Sequence, residues 1–156
     1  MKKKWILPFI AVALMMAPIF NPAPLAAQTS EGIQWMSYQE GRERGEAENK
    51  KVFLVFNADW CRYCAQMEKE TFQNPTVIAY VNRNFVPISV NSDREQEIAD
   101  KYNVRGLPST WFIAENGDTI GNRPGYIAPE EMLEILKYIS SDSYRTMSFK
   151  AFVDQN

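Results

Sequence analysis

Histidine is missing altogether from the 156 residues, and cysteine occurs only twice, at Cys61 and Cys64. Without an imidazole the chain can build neither a Cys-His or Ser-His-Asp nucleophile nor a His-ligated metal site. Two thiolates do not complete the four-ligand shell of a structural zinc, so no metal is expected and the pair is either a redox couple or a small staple. Basic charge is also scarce, 17 Lys and Arg against 19 Asp and Glu. Taking away Lys2, Lys3 and Lys4 with an N-terminus that holds no acid before Glu31 leaves 14 against 19, a balance of −5. Nucleic acid is therefore not expected as a partner, because phosphate binding needs clustered Lys and Arg that release counterions. Hydrophobic residues, by contrast, make up 46% of the chain, enough to bury a core and to exclude disorder over most of its length.

A bilayer-length hydrophobic run is lacking too. The apolar stretch from Trp5 to Phe20 has 16 positions, short of the roughly 20 that span a membrane. It follows three lysines and precedes Ala26-Ala27, the pattern of an export signal, so residues 1–27 are read as a signal peptide cut before Gln28. An uncleaved anchor is the alternative. No cysteine adjoins the cut, which excludes lipid attachment there. Export places the two cysteines in a compartment where disulfides form and persist.

From Gln28 to Gln34 the composition is polar and is expected to be loose. Ser37 followed by Glu40 is a capping box that starts a helix, weakened by Gly41 and Gly45. Val52 to Phe56 is a continuous β-branched and aromatic run, the pattern of a strand buried on both faces. Arg62 to Phe72 contains neither Gly nor Pro and reads as a helix beginning at the first cysteine. Asn74-Pro75 opens a short helix through Val81. Phe85 to Val90 reads as a second buried strand, with a polar turn and a helix from about Arg94 to Tyr102 behind it. Trp111 to Ile113 is a third strand, and Asn116-Gly117 turns the chain back through Thr119-Ile120 toward Gly125. Pro129 opens a last amphipathic helix with Met132, Leu133, Leu136 and Ile139 on one face. Residues 28–140 thus describe one layered α/β domain with a central mixed sheet flanked by helices. Residues 141–156 read as a tail whose Tyr144, Phe149 and Phe152 pack on that domain.

A Cys-x-x-Cys pair where a buried strand gives way to a helix has a physical logic. The helix start offers unpaired N–H groups and a partial positive charge, which stabilise a thiolate at Cys61. Cys64, one turn inward, is the resolving thiol, Arg62 adds a cation beside Cys61, and Tyr63 adds an aromatic rim. An inert staple is the competing reading, and it gains little chain entropy from so short a loop.

The stretch Ala58-Asp59-Trp60-Cys61-Arg62-Tyr63-Cys64, with Val104-Arg105-Gly106-Leu107-Pro108-Ser109, Asn116-Gly117-Asp118 and Gly125 after it, resembles the thioredoxin superfamily. Together with Glu68-Lys69, Thr71-Phe72, Pro75 and Val77 it is most similar to the C-terminal periplasmic thioredoxin-like domain of the DsbD thiol:disulfide interchange family. That resemblance covers about 70 residues and implies a thioredoxin-like fold in which Pro108 is cis and faces the cysteines. It also implies a reductant of periplasmic disulfides, acting on protein or small-molecule disulfide substrates and fed with electrons by a membrane donor of thiol:disulfide interchange type. No cofactor is implied.

In thioredoxins the position six residues before the first cysteine is usually a buried Asp that assists proton transfer to the second; here it is Val55. Glu68 matches an acidic residue of the reductase-type domains and is the candidate acid/base group, with a solvated charge paired to a nearby Lys as its alternative. Trp60, Arg62, Tyr63, Leu107 and Pro108 are the candidate substrate contacts: Trp60 as an apolar lip, Leu107 as a backbone that pairs with an extended segment. Direction is open on the residues alone. Arg62 favours thiolate and so an oxidant, whereas the lack of His between the cysteines removes the cation of strong oxidants in this superfamily. A disulfide oxidase or isomerase and a non-catalytic binding module remain the alternatives.

Overall fold

Five consecutive apolar residues with alternating side chains can be buried only if both faces of their strand are covered. Strand β1 (Val52–Asn57) meets that condition at the centre of the molecule: Phe53 and Val55 enter one apolar cluster, and Val52, Leu54 and Phe56 enter another. The computed structural model describes Met1 and residues 32–155, so the signal peptide expected over residues 1–27 lies, Met1 apart, outside the described residues. Among the described residues no helix is long and apolar enough to cross a membrane.

In chain order the elements are α1 (Tyr38–Glu48), β1, α2 (Arg62–Glu70), α3 (Pro75–Asn84), β2 (Val86–Asn91), α4 (Gln96–Lys101), β3 (Ser109–Ile113), β4 (Thr119–Pro124), α5 (Pro129–Ser140), a 3-10 turn (Ser143–Arg145) and α6 (Phe149–Val153). The sheet runs β2-β1-β3-β4, with β1 and β2 parallel and the other pairs antiparallel. Leu54 sits between Ile88 and Trp111 in this register, and Phe53 between Pro87 and Phe112. One face is covered by Met67 of α2, Val77 and Val81 of α3, and Met132, Ile135, Leu136 and Ile139 of α5. The other is covered from α1 and α4, through Tyr38, Ile98 and Ala99. This is a mixed sheet flanked by helices, the thioredoxin-like architecture.

The local signals explain most boundaries. Ser37 Oγ accepts the Glu40 N–H at 3.4 Å, and Asn74 Oδ1 accepts those of Thr76 and Val77 at 3.0 and 3.3 Å. Gly117, at φ +88, makes the β3–β4 turn that only a residue without Cβ adopts freely.

Other expectations are corrected. Residues 32–34 are not loose: Gln34 N–H donates to Asn82 Oδ1, and Asn82 Nδ2 donates to the Gly32 carbonyl, both at 3.0 Å. The burial expected of the second strand holds, for Val86, Ile88 and Val90 are buried in β2 although it stands at the sheet edge, where the backbone of Met36 pairs with it through Pro87 and Ser89. The second helix stops at Glu70 rather than Phe72, because Thr71 turns inward and its hydroxyl donates to the Ile127 carbonyl at 2.6 Å. The fourth begins at Gln96, since Asn91 Oδ1 takes the N–H groups of Asp93 and Arg94 and holds them in a turn. On α5 the buried positions include Ile135, while Leu133 is half-buried. Helix α5 is not the last, for α6 follows it, and Tyr138 packs edge-on or tilted against Tyr144, Phe149 and Phe152.

Candidate active site

Strand β1 ends at Asn57, and Ala58 to Trp60 turn the chain so that Cys61 becomes the N-cap of α2. Its carbonyl accepts the N–H groups of Cys64 and Ala65, both at 3.1 Å, and its Sγ accepts the Cys64 N–H at 3.1 Å. The sulfur therefore occupies the place of a capping oxygen, in the field of the helix N-terminus. Cys61 and Cys64 are joined in a disulfide.

An attacking thiolate calls for access, yet Cys61 is only 5% exposed, and Cys64 9%. Ala58 and Leu107 pack against the bridge. Access runs through a cavity of about 280 Å³ lined by Cys61, Cys64, Trp35, Glu68, Phe72 and Pro108. The Leu107–Pro108 peptide is cis, and the Pro108 carbonyl accepts the Gly125 N–H at 2.8 Å, which ties the loop to the end of β4. Among the described residues, Leu107 makes no backbone hydrogen bond through its N–H or C=O.

Val55, where thioredoxins usually have Asp, lines the same cavity and is 2% exposed within the apolar cluster. Glu68 lies one helical turn beyond Cys64 on the same face of α2. Glu68 is exposed as a residue, yet it borders the cavity, and partial desolvation holds its carboxyl above the ordinary carboxylate range. The paired-lysine alternative has no support, since Glu68 forms no ion pair among the described residues.

The other candidate residues, Trp60, Arg62 and Tyr63, are exposed neighbours of Cys61 in sequence. Trp60 and Tyr63 are large apolar side chains left exposed, at 72% and 60%, and neither lines the cavity. Trp60 Nε1 donates to Asp93 Oδ2 at 2.8 Å, while Asp59 is gripped by Arg94 at 2.7 Å and by Asn91 Nδ2 at 3.1 Å. Arg62 is exposed and forms no ion pair among the described residues. Trp35 and Phe72 were missed as cavity walls. Nothing in the local sequence marks Trp35, which reaches the site only because residues 32–36 are strapped to α3 and β2.

A family model described as a thioredoxin-like domain matches residues 38–140, and the chain belongs to that family. In sequence it is similar to the thiol:disulfide interchange protein DsbD of Vibrio vulnificus, 34% identical over 133 residues that make up 78% of this chain and 22% of that protein. The chain thus spans less than a quarter of the length of that relative. In structure it is similar to a thioredoxin from Thermus thermophilus, with a TM-score of 0.63 and 28% identity over 69% of this chain and 86% of the other. The reduced DsbD C-terminal domain of Neisseria meningitidis superposes with a TM-score of 0.55 over 65% of this chain and 92% of its own, and at 24% identity it speaks for the fold.

Proposed function

We propose that the protein is an exported thiol:disulfide oxidoreductase that works as a reductant of protein disulfides. The observation that carries this reading is the placement of Cys61 as the cap of α2, in the wall of a cavity it shares with Cys64 and Pro108. Similarity to proteins named for thiol:disulfide interchange supports it. In the reduced protein the Cys61 thiolate attacks one sulfur of a substrate disulfide. A Cys61–substrate bond forms, the substrate S–S bond breaks, and the other substrate sulfur leaves as a thiolate and takes up a proton. Cys64, once deprotonated, attacks Cys61 Sγ, closing the intramolecular disulfide and releasing the second substrate thiol. Two electrons and two protons pass to the substrate, and an external dithiol, for which a membrane donor of the interchange type is the candidate, restores the pair. Glu68 takes the Cys64 proton, the place left by Val55 being apolar. Leu107 pairs with the substrate backbone, Pro108 faces the bridge, and Trp60, Arg62 and Tyr63 frame the approach.

Cys64→Ser should accumulate mixed disulfides with substrate and Cys61→Ser none, while alkylation of thiols in intact cells should find the native pair mainly reduced. A mainly oxidised pair with a potential near −120 mV would reverse the direction to that of an oxidase. Unchanged activity in Cys61→Ser would make the domain a binding module.

A further inference from the structure

The cavity at the cysteine pair shares a wall with another. Trp35, Glu68 and Phe72 also line a second cavity of about 400 Å³, which runs on to Ile33, Gln73 and Ile78. The shared wall is firmly built: the Trp35 ring meets Phe72 edge-on at 5.1 Å and stacks on Phe53 at 5.9 Å. Its backbone is pinned on both sides, by the Gln34 and Gly32 bonds to Asn82 and by the Met36 bonds to Pro87 and Ser89 at 3.0 and 3.2 Å. Among the described residues, the charged ones lining the two cavities are Asp59 and Glu68, both acidic. Arg94 pairs with Asp59 at 2.7 Å, whereas Glu68 has no cation partner among the described residues.

A carboxylate without a counter-ion beside aromatic rings suits a long cationic side chain, whose methylene stem lies on the rings while its charge meets the acid. We propose that this double cavity is a subsite for a basic side chain, Lys or Arg, carried near the reactive cysteine of a polypeptide disulfide, with Trp35 and Phe72 holding the stem and Glu68 the charge. The inference rests on the oxidoreductase reading for its substrate but not for its binding. Trp35 thereby becomes a specificity-determining residue, and small disulfides without a cation gain nothing from the groove. An apolar side chain fits less well, because Glu68 and Gln73 would lose water without gaining a partner.

Disulfide-linked peptides identical except for Lys, norleucine or Glu beside the cysteine provide the test. The native protein should prefer Lys over Glu about fivefold in kcat/KM at low salt, the preference shrinking as ionic strength rises. In Glu68→Gln the ratio should fall to near one; being a ratio, it cancels any shared effect of Glu68 on the chemistry. Trp35→Phe should keep the preference and Trp35→Leu weaken it. The same peptides with alkylated cysteines, titrated against the oxidised protein, should bind in the same order. A norleucine preference, or a Lys-to-Glu ratio unchanged in Glu68→Gln, would overturn the subsite. Loss of all reduction with the binding order intact would sink the oxidoreductase reading and leave the subsite standing.

Discussion

The two roles proposed for Glu68 rest on the single turn that separates it from Cys64 and on cavity walls that, among the described residues, hold no cation. Desolvation favours its neutral form, so its folded value lies above that of an ordinary carboxylate. A base works only when ionised. Resolution of the mixed disulfide should therefore accelerate as pH rises through that raised value, and Glu68→Gln should abolish the inflection and slow resolution at neutral pH about 10²-fold. Stopped-flow release of the second substrate thiol between pH 4 and pH 8 checks this (about the range in which a carboxyl and its shifted forms titrate), and an unchanged profile would remove the acid/base role. Other side chains act at this scale by what they exclude. Val55 keeps the cavity floor apolar, and the Trp60 indole is held over the outer surface by Asp93.

Helix α1 looks like a poor helix in isolation, with Gly41 and Gly45 in its interior. Both are buried, and the reason is proximity to the sheet: a Cβ on Gly41 would stand 2.3 Å from Ile88 Cγ1, and one on Gly45 2.8 Å from Val52 Cγ2. What costs the helix local propensity lets it lie against the sheet. Gly41→Ala should consequently destabilise the protein by about 1–2 kcal/mol, the clash with fully buried Ile88 outweighing the gain in helix propensity, as urea unfolding would measure. A stabilised variant would show that Ile88 moves freely. Helix α2 obeys a different constraint, since its first residue follows a sulfur cap and its end is set by buried Thr71.

Across the whole molecule, one buried cation joins three distant segments. Lys51, 5% exposed just before β1, reaches Glu115 in the β3–β4 turn at 2.6 Å and Asp142 after α5 at 3.2 Å. Desolvation pushes the Glu115 carboxyl up, but the Lys51 hydrogen bond and charge overcome it and leave the group below its ordinary value. Arg145 first, and then Lys51, hold Asp142 low as well. Both folded values are depressed, so the stability they contribute is present above the ordinary carboxylate values, around pH 4, and is lost as pH falls through the folded ones. Urea midpoints measured from pH 6 downward, about two units above those values, should fall more steeply for the native chain than for Lys51→Met. Parallel curves would mean that the network adds nothing.

The sulfur pair, the caps at Ser37 and Asn74, the Asn116-Gly117 turn and the two-sided strand at Val52 to Phe56 were legible in sequence, because each depends on neighbours within a few residues. So was the fold class, through the order of those local signals and the resemblance they carry. The place of Trp35, the backbone bridge on the edge of β2 and the packing role of Gly41 were not, since each is decided by a partner far along the chain: Phe72, Met36 and Ile88. Burial of Cys61 belongs with them, because Leu107 covers the bridge from a loop more than forty residues away. Sequence by itself determined the local chemistry, two thiols at the start of a helix. Tertiary structure alone decided what surrounds them, because cavity walls and desolvation arise only when remote segments are brought into contact.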